Sequence, residues 1–341
     1  FKLLFISSFG SIVLSGVLGI ITAYLGFKVW ALVIQTIANK LLLALILSFM
    51  TKWKFLFSFS FKSIKSLFSY GSKILLSGLI DTVYNNLFGI IIGRTYDSKI
   101  LGLYTRGDQF PKYLTIIING SLSNVLFPAF SKIQNDKQSI KKIVKQSISM
   151  SSFIIIPIMS LMIVTARPLI ILLLTNKWEG AIPFLQIMCF SYIFWPIHTV
   201  NLQAIKANGY SGLYLRLEII KKIISISFLL MLIPLGVYAM AFSIAISSLV
   251  STFINSYPNK KLIDYGFKEQ LFDILPSFGL SVFLSLVVYS ISFLKINLYI
   301  IFFLQIIIFS LLYYFFAKKF KIKGYVFIRD LFLNIKNIKG E

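Results

Sequence analysis

The sequence has 341 residues, of which 57% are hydrophobic and only 13% charged, with a mean hydropathy of +0.86. So few polar side chains cannot cover a water-soluble fold of this size, which excludes a soluble enzyme, a disordered chain and a disulfide scaffold. The net charge of +23 would point to nucleic acid in a soluble protein, but in a membrane protein it first reports orientation.

What remains is an all-α polytopic membrane protein. A spanning helix needs about 20 apolar residues. Ten such runs follow one another: 3–25, 29–50, 67–93, 101–131, 147–175, 180–205, 219–235, 237–257, 271–294 and 297–317. The chain starts with Phe1, and its first run is too long for a signal-peptide core and has no cleavage pattern after it. The sequence therefore reads as a fragment lacking an N-terminal part. Within the first run Ser7, Ser11, Ser15, Gly19 and Ala23 recur every four residues, the spacing of a close helix–helix contact. Ser243, Ser247, Ser251 and Asn255 repeat the pattern, as do Ser277, Ser281 and Ser285.

The second run carries Lys40 midway along, beside Gln35 and Asn39, where a lysine is expected to face a polar interior. In the third, Lys73, Ser77, Asp81, Asn85 and Gly89 form a polar strip at four-residue steps, about 24 Å long. Lys73 and Asp81 share a side about 12 Å apart, too far to touch. Lys73 has a surface escape by snorkelling, but Asp81 is too short and too deep for one, so an internal gating or ion-coupling role is expected for Asp81 with Asn85. The fourth run opens with Arg106, Gly107, Asp108, Pro111 and Lys112. Asp108 and Lys112 can pair at i,i+4, Arg106 can offer a bidentate fork to phosphate, and Gly107 with Pro111 predicts a discontinuous helix. Arg167 can reach the outer interface, and His198 follows Pro196 on a helix where hydrogen-bonded packing is the ordinary role.

Basic residues sort by side. Alternate loops and the tail hold 24 cations, the intervening loops hold five, and Lys40, Lys73, Arg106, Lys112 and Arg167 lie within spans. The positive-inside rule then puts both ends in the cytoplasm, facing anionic membrane lipid, and leaves no call for nucleic acid. The single cysteine and single histidine exclude most metal and haem sites. There is no phosphate loop, no catalytic carboxylate pair and no Ser/His/Asp set, so neither an enzyme nor a cofactor is expected.

Several stretches resemble one family when taken in order: Phe68 to Asn86, Leu101 to Arg106, Leu126 to Ile133, Arg167 to Trp178, Pro196 to Leu202 and Leu217 to Lys222. They are similar to Wzx-type polysaccharide flippases of the colanic-acid and exopolysaccharide branch, within the multidrug/oligosaccharidyl-lipid/polysaccharide exporter superfamily. The resemblance implies a family fold of fourteen helices in two lobes, of which this chain would lack the first four. Residues 1–50 would close the N-terminal lobe, 51–66 would link the lobes, 67–257 would form the C-terminal six-helix lobe, 258–317 two additional helices and 318–341 a basic tail. It implies export of an undecaprenyl-pyrophosphate-linked oligosaccharide across the bacterial inner membrane by alternating access. Lys40, Lys73 and Arg106, with Lys112 weaker, would contact the anion in a cationic cavity, and a polymerase and a chain-length regulator would be partners. Two other readings stand beside it: a cation-coupled multidrug exporter of the same superfamily, and a membrane glycosyltransferase or polymerase.

Overall fold

The computed structural model describes residues 2–51, 60–133, 136–294 and 296–338. Half of the expected linker, 52–59, and Lys295 lie outside them, as does the side chain of Asn85. The described residues are helical throughout, with no strand among them, and fall into two units, Phe1–Ile64 and Lys65–Glu341.

The first unit is an antiparallel hairpin of α1 (Lys2–Tyr24) and α2 (Val29–Thr51). Lipid supplies no hydrophobic drive between helices, so close approach of small side chains holds the pair. Ser7, Ser11 and Ser15 are all buried in the seam, and Asn39 donates to Ser15 Oγ at 3.2 Å. A Cβ on Gly19 would lie 3.0 Å from Gln35 Cβ. The four-residue stripe of α1 is thus a contact face, as its spacing predicts. Lys40 is exposed within this unit.

In the second unit α3 (Phe61–Thr95) and α4 (Ser98–Lys132) run 35 residues each, followed by α5 (Lys137–Val164) and the short α6 (Ala166–Leu174). Then come α7 (Ile182–Tyr192), α8 (Trp195–Ala207), α9 (Ser211–Leu232), α10 (Val237–Ile263), α11 (Phe267–Tyr289), α12 (Leu298–Lys319) and α13 (Lys323–Ile338). Side chains of Asp97 and Asp136 cap α4 and α5, and Asn297 caps α12, each satisfying free N–H groups of a first turn. The core centres on α5 and α7, where Ile140, Val144, Ile148, Ile155 and Met159 present one face to Phe184, Leu185 and Met188.

Nine helical stretches among the described residues are long and apolar enough to cross a membrane. The tenth expected span, 219–235, is α9, which starts eight residues earlier and carries Arg216, Glu218, Lys221 and Lys222 inside the helix. Those three cations belong to a helix, not to the cytoplasmic loop in which the sequence count places them.

The expected break in the fourth span is absent. α4 runs unbroken through Pro111, which is buried, while a Cβ on Gly107 would meet Phe184 Cβ at 2.6 Å and Leu185 N at 2.8 Å. Gly107 is therefore a contact point between α4 and α7. The discontinuous helix is the 180–205 run, which breaks at Ile193–Phe194 and restarts with Pro196 in the first turn of α8. The basic tail is also structured: α13 seats Gly324 so tightly on α5 that a Cβ would lie 2.4 Å from Phe153 Cβ.

Candidate functional site

Two groups of charged side chains stand out in the second unit. The first lies at mid-depth. Asp81 is 14 residues from the Thr95 end of α3, about 21 Å, and Lys222 is ten residues from the Leu232 end of α9, about 15 Å. Lys222 Nζ meets Asp81 Oδ1 at 2.5 Å and sits 4.2 Å from the centre of the Tyr84 ring, so one ammonium joins α9 to two positions of α3. On the same helix Lys221 Nζ meets Glu218 Oε1 at 2.6 Å, an i,i+3 pair. Nearby, Lys206 caps the face of Tyr214 at 4.3 Å.

These two pairs, with Trp195, His198, Tyr214 and Ser251, line a pocket of about 240 Å³. His198 is fixed on both sides, by Thr252 Oγ1 at 3.1 Å and Asn255 Nδ2 at 3.2 Å, which is the packing role its sequence context predicts. Below it, Asn201 and Gln270 exchange amide hydrogen bonds at 2.7 and 2.9 Å, and Asn259 donates to Asn201 at 2.5 Å. A polar layer thus ties α8, α10 and α11 together beside a charged pocket. Lys222 is 15% exposed while Asp81 is 51% exposed. The ammonium is therefore held in the wall and the carboxylate faces the opening, where water or another anion can compete for it.

The second group lines the start of α4. Arg106 Nη1 donates to Gln109 Oε1 at 2.7 Å, and its guanidinium lies 5.4 Å from the Trp178 ring centre. Lys112 pairs with Asp108 at 3.3 Å, as the i,i+4 spacing predicts, and Tyr192 donates to the other oxygen of Asp108 at 2.8 Å. Arg106, Asp108 and Lys112 share a cleft of about 660 Å³ with Gln109, Tyr113 and Trp178. At the same end of the helices, Arg167 makes an exposed ion pair with Glu179 at 3.1 Å.

The structure therefore brings Arg106 and Lys112 together and gives Asp81 a partner. It puts Lys40 in the other unit and Lys73, half-buried on α3, two turns from Asp81. The partner of Asp81 is Lys222, which sequence reasoning missed along with Glu218 and Lys221. The available signal was Leu217-Glu218-Ile-Ile-Lys221-Lys222, whose opposite charges recur at i,i+3 and i,i+4 inside an apolar run. The pocket between α3 and α9 balances two carboxylates against two ammonium groups, and the cleft along α4 carries one surplus positive charge. Among the described residues no group of three His, Cys, Asp or Glu side chains could hold a metal. The arrangement offers ammonium and guanidinium groups in two polar recesses, which suits binding and release of an anion.

The polysaccharide biosynthesis protein family matches residues 1–183. Relatives include the teichuronic acid biosynthesis protein TuaB of Bacillus subtilis, 25% identical over 48% of this chain and 34% of TuaB. The lipopolysaccharide biosynthesis protein WzxC of Escherichia coli is 25% identical over 38% of this chain and 27% of its own length. The probable low-salt glycan biosynthesis flippase Agl15 of Haloferax volcanii is 21% identical over 61% of this chain and 45% of Agl15. The matched stretch is thus less than half the length of each of these relatives. Among solved structures, the lipid II flippase MurJ in an inward closed conformation superposes on 94% of this chain and 67% of its own, with a TM-score of 0.67 and 17% identity. At that identity the likeness establishes a shared helical membrane fold.

Proposed function

The chain belongs to the polysaccharide biosynthesis protein family, and on that premise we propose that it is a non-enzymatic carrier of undecaprenyl-pyrophosphate-linked oligosaccharide across the bacterial inner membrane. The observation that carries this reading is the Lys222–Asp81 pair: an ammonium held in the wall at half-membrane depth, neutralised by a carboxylate that an incoming anion can replace.

The diphosphate of the cargo takes the place of the Asp81 carboxylate on Lys222, and the pair re-forms when the cargo leaves. With the pocket empty its two carboxylates and two ammonium groups balance, which matters because an unpaired charge at bilayer depth costs about 2.5–3.5 kcal/mol on insertion scales. Arg106 and Lys112 receive the anion at the other end of its path, where Trp178 and Tyr113 offer flat faces to sugar rings. Lys73 and Lys40 add positive charge along the way, Asn85 adds a polar group beside Asp81, and the prenyl tail stays in lipid. Residues 1–50 serve as the last helices of one lobe, 67–257 as the other lobe, and 258–317 as two added helices. The lobes rock to expose the site to each side in turn.

Moving Arg216, Lys221 and Lys222 out of the loops leaves 21 cations on one side against five on the other. Both ends of the chain are therefore read as cytoplasmic, beside anionic lipid, and a polymerase and a chain-length regulator act on the exported product.

The test is a lipid-linked sugar export assay with Asp81→Asn, Lys222→Met, Arg106→Ala and Lys73→Ala, at matched protein levels. Loss of export in the first three, with partial rescue by the Asp81→Lys/Lys222→Asp exchange, is expected. Full export by all four would sink the assignment. Unaltered sugar export combined with a new sensitivity to cationic dyes on deletion would favour the drug-exporter reading.

A further inference from the structure

A groove of about 690 Å³ opens at the far end of α11 and α12, away from both charged groups. Its floor and walls are apolar: Pro276, Leu280 and Phe283 from α11, and Phe316 and Phe320 from α12. Lys321 and Lys323 stand at its mouth. The two lysines are placed by a tight turn. Ile322 N–H bonds back to Ala317 O at 3.1 Å, and Lys321 takes φ +50, a left-handed conformation in which glycine is the ordinary residue. Gly324 then locks the turn against Phe153 and Ser149, with no room for a side chain. Lys321, like Lys28, Thr175 and Asp264, holds a conformation that glycine adopts more easily, and here the turn presents a lysine at the groove.

The charge around the mouth is one-sided. Lys318 and Lys319 fill the last turn of α12, and Lys323 and Lys145 pair with the buried Asp273. Asp273 accepts from Lys323 at 2.5 Å and from the Tyr265 hydroxyl at 2.7 Å, with Lys145 at 3.6 Å. Lys318, Lys319 and Lys321 add three more cations along the same stretch of chain. An apolar groove with its cations gathered at one end has the polarity of an anionic lipid lying along a helix pair: chain in the groove, phosphate at the lysines.

We propose that this groove binds an anionic glycerophospholipid, with the phosphodiester between Lys321 and Lys323 and one acyl chain against Pro276, Leu280 and Phe316. The leaflet it comes from, the cytoplasmic one, rests on the orientation argued above; the site itself does not. The bound lipid ties α11, α12 and α13 together and fixes α13 at the headgroup level.

The experiment titrates the full chain in detergent with phosphatidylglycerol, with phosphatidylcholine and with inorganic phosphate. Retained lipid is counted by native mass spectrometry and the melting temperature is followed in parallel. Phosphatidylglycerol should be retained and raise the melting temperature; the other two should do neither. Removing one lysine should weaken retention about fivefold. Lys321→Gly is the decisive variant, because glycine relieves the strained turn. Its melting temperature without lipid should rise while its response to phosphatidylglycerol falls. Leu280→Trp, which fills the groove and keeps both lysines, should also lose retention, whereas Lys137→Ala, elsewhere on the chain, should not. An undiminished response in Lys321→Gly and in the Lys321→Ala/Lys323→Ala double variant would overturn the proposal. So would an equal response to phosphatidylcholine or to phosphate. Because no step depends on sugar export, a failure here is separate from a failure of the transport reading.

Discussion

At the scale of single residues, placement decides what each charge can do. Lys222 is mostly buried and its ammonium has Asp81 and the Tyr84 face as partners. Asp81→Asn leaves that ammonium short of an anion, which should cost stability by about 1–3 kcal/mol as well as export; a melt in the same detergent as wild type measures it. Asp136 behaves differently because it is wholly exposed. Its carboxylate accepts from the Ser139 hydroxyl and from the Ser139 and Gln138 N–H groups, which holds its pKa below the usual carboxylate value. A depressed folded-state pKa means that the stabilisation is complete above the unfolded carboxylate value, near pH 4, and fades as pH falls through the folded one. Asp136→Ala should therefore melt below wild type at pH 6, and the gap should close toward pH 3. Of these residues, Asp81 was legible from its four-residue stripe. Lys222 was not, because two lysines beside an apolar run look the same whether they end a loop or sit in a helix.

At the scale of elements, two prolines show why a residue type alone does not predict a break. Pro111 and Pro196 both sit in long apolar runs. Pro111 is buried where α4 passes α7, and packing on both sides keeps the helix continuous. Pro196 falls in the first turn of α8, where its missing N–H is no loss. Tertiary contact, which the sequence does not display, separates the two cases. The same contacts make two glycines sensitive. Gly107→Ala would push a Cβ within 3 Å of Phe184, Leu185 and the Ala181 carbonyl, and Gly324→Ala within 3 Å of Phe153 and Ser149. Each should lose about 1–3 kcal/mol by overpacking. The first should lower the melting temperature of the whole chain. The second should release α13, seen as faster hydrogen exchange over 323–338 alone.

At the scale of the whole molecule, the spans were readable because lipid demands long apolar helices. The pairing of helices was only partly readable. The serine stripe of α1 marked its seam with α2, and Ser243, Ser247, Ser277 and Ser281 are likewise buried. In the core made by α5 and α7, Ile140, Val144 and Ile148 recur every four residues on α5, but α7 is apolar and buried on most faces and shows no stripe of its own. Orientation has a direct test, helped by a native feature: Cys189 is the sole cysteine and is fully buried. Single cysteines at Lys137 and at Lys177 should label from opposite sides, Lys137 only when a reagent enters the cytoplasm.

The mid-depth pocket holds two acids and two bases, and that equality has an electrical meaning. A neutral cluster that shifts across the bilayer with a rocking lobe moves no net charge through the membrane voltage. The return of the empty site is then indifferent to voltage in the wild type, and the loaded step carries only the charge of the cargo. Asp81→Asn leaves one uncompensated positive charge, worth about 2.3 kcal/mol per 100 mV for a full crossing. The return of the empty variant should respond to an imposed voltage as the wild-type return does not, so export in vesicles clamped with potassium and valinomycin should depend differently on voltage in the two proteins.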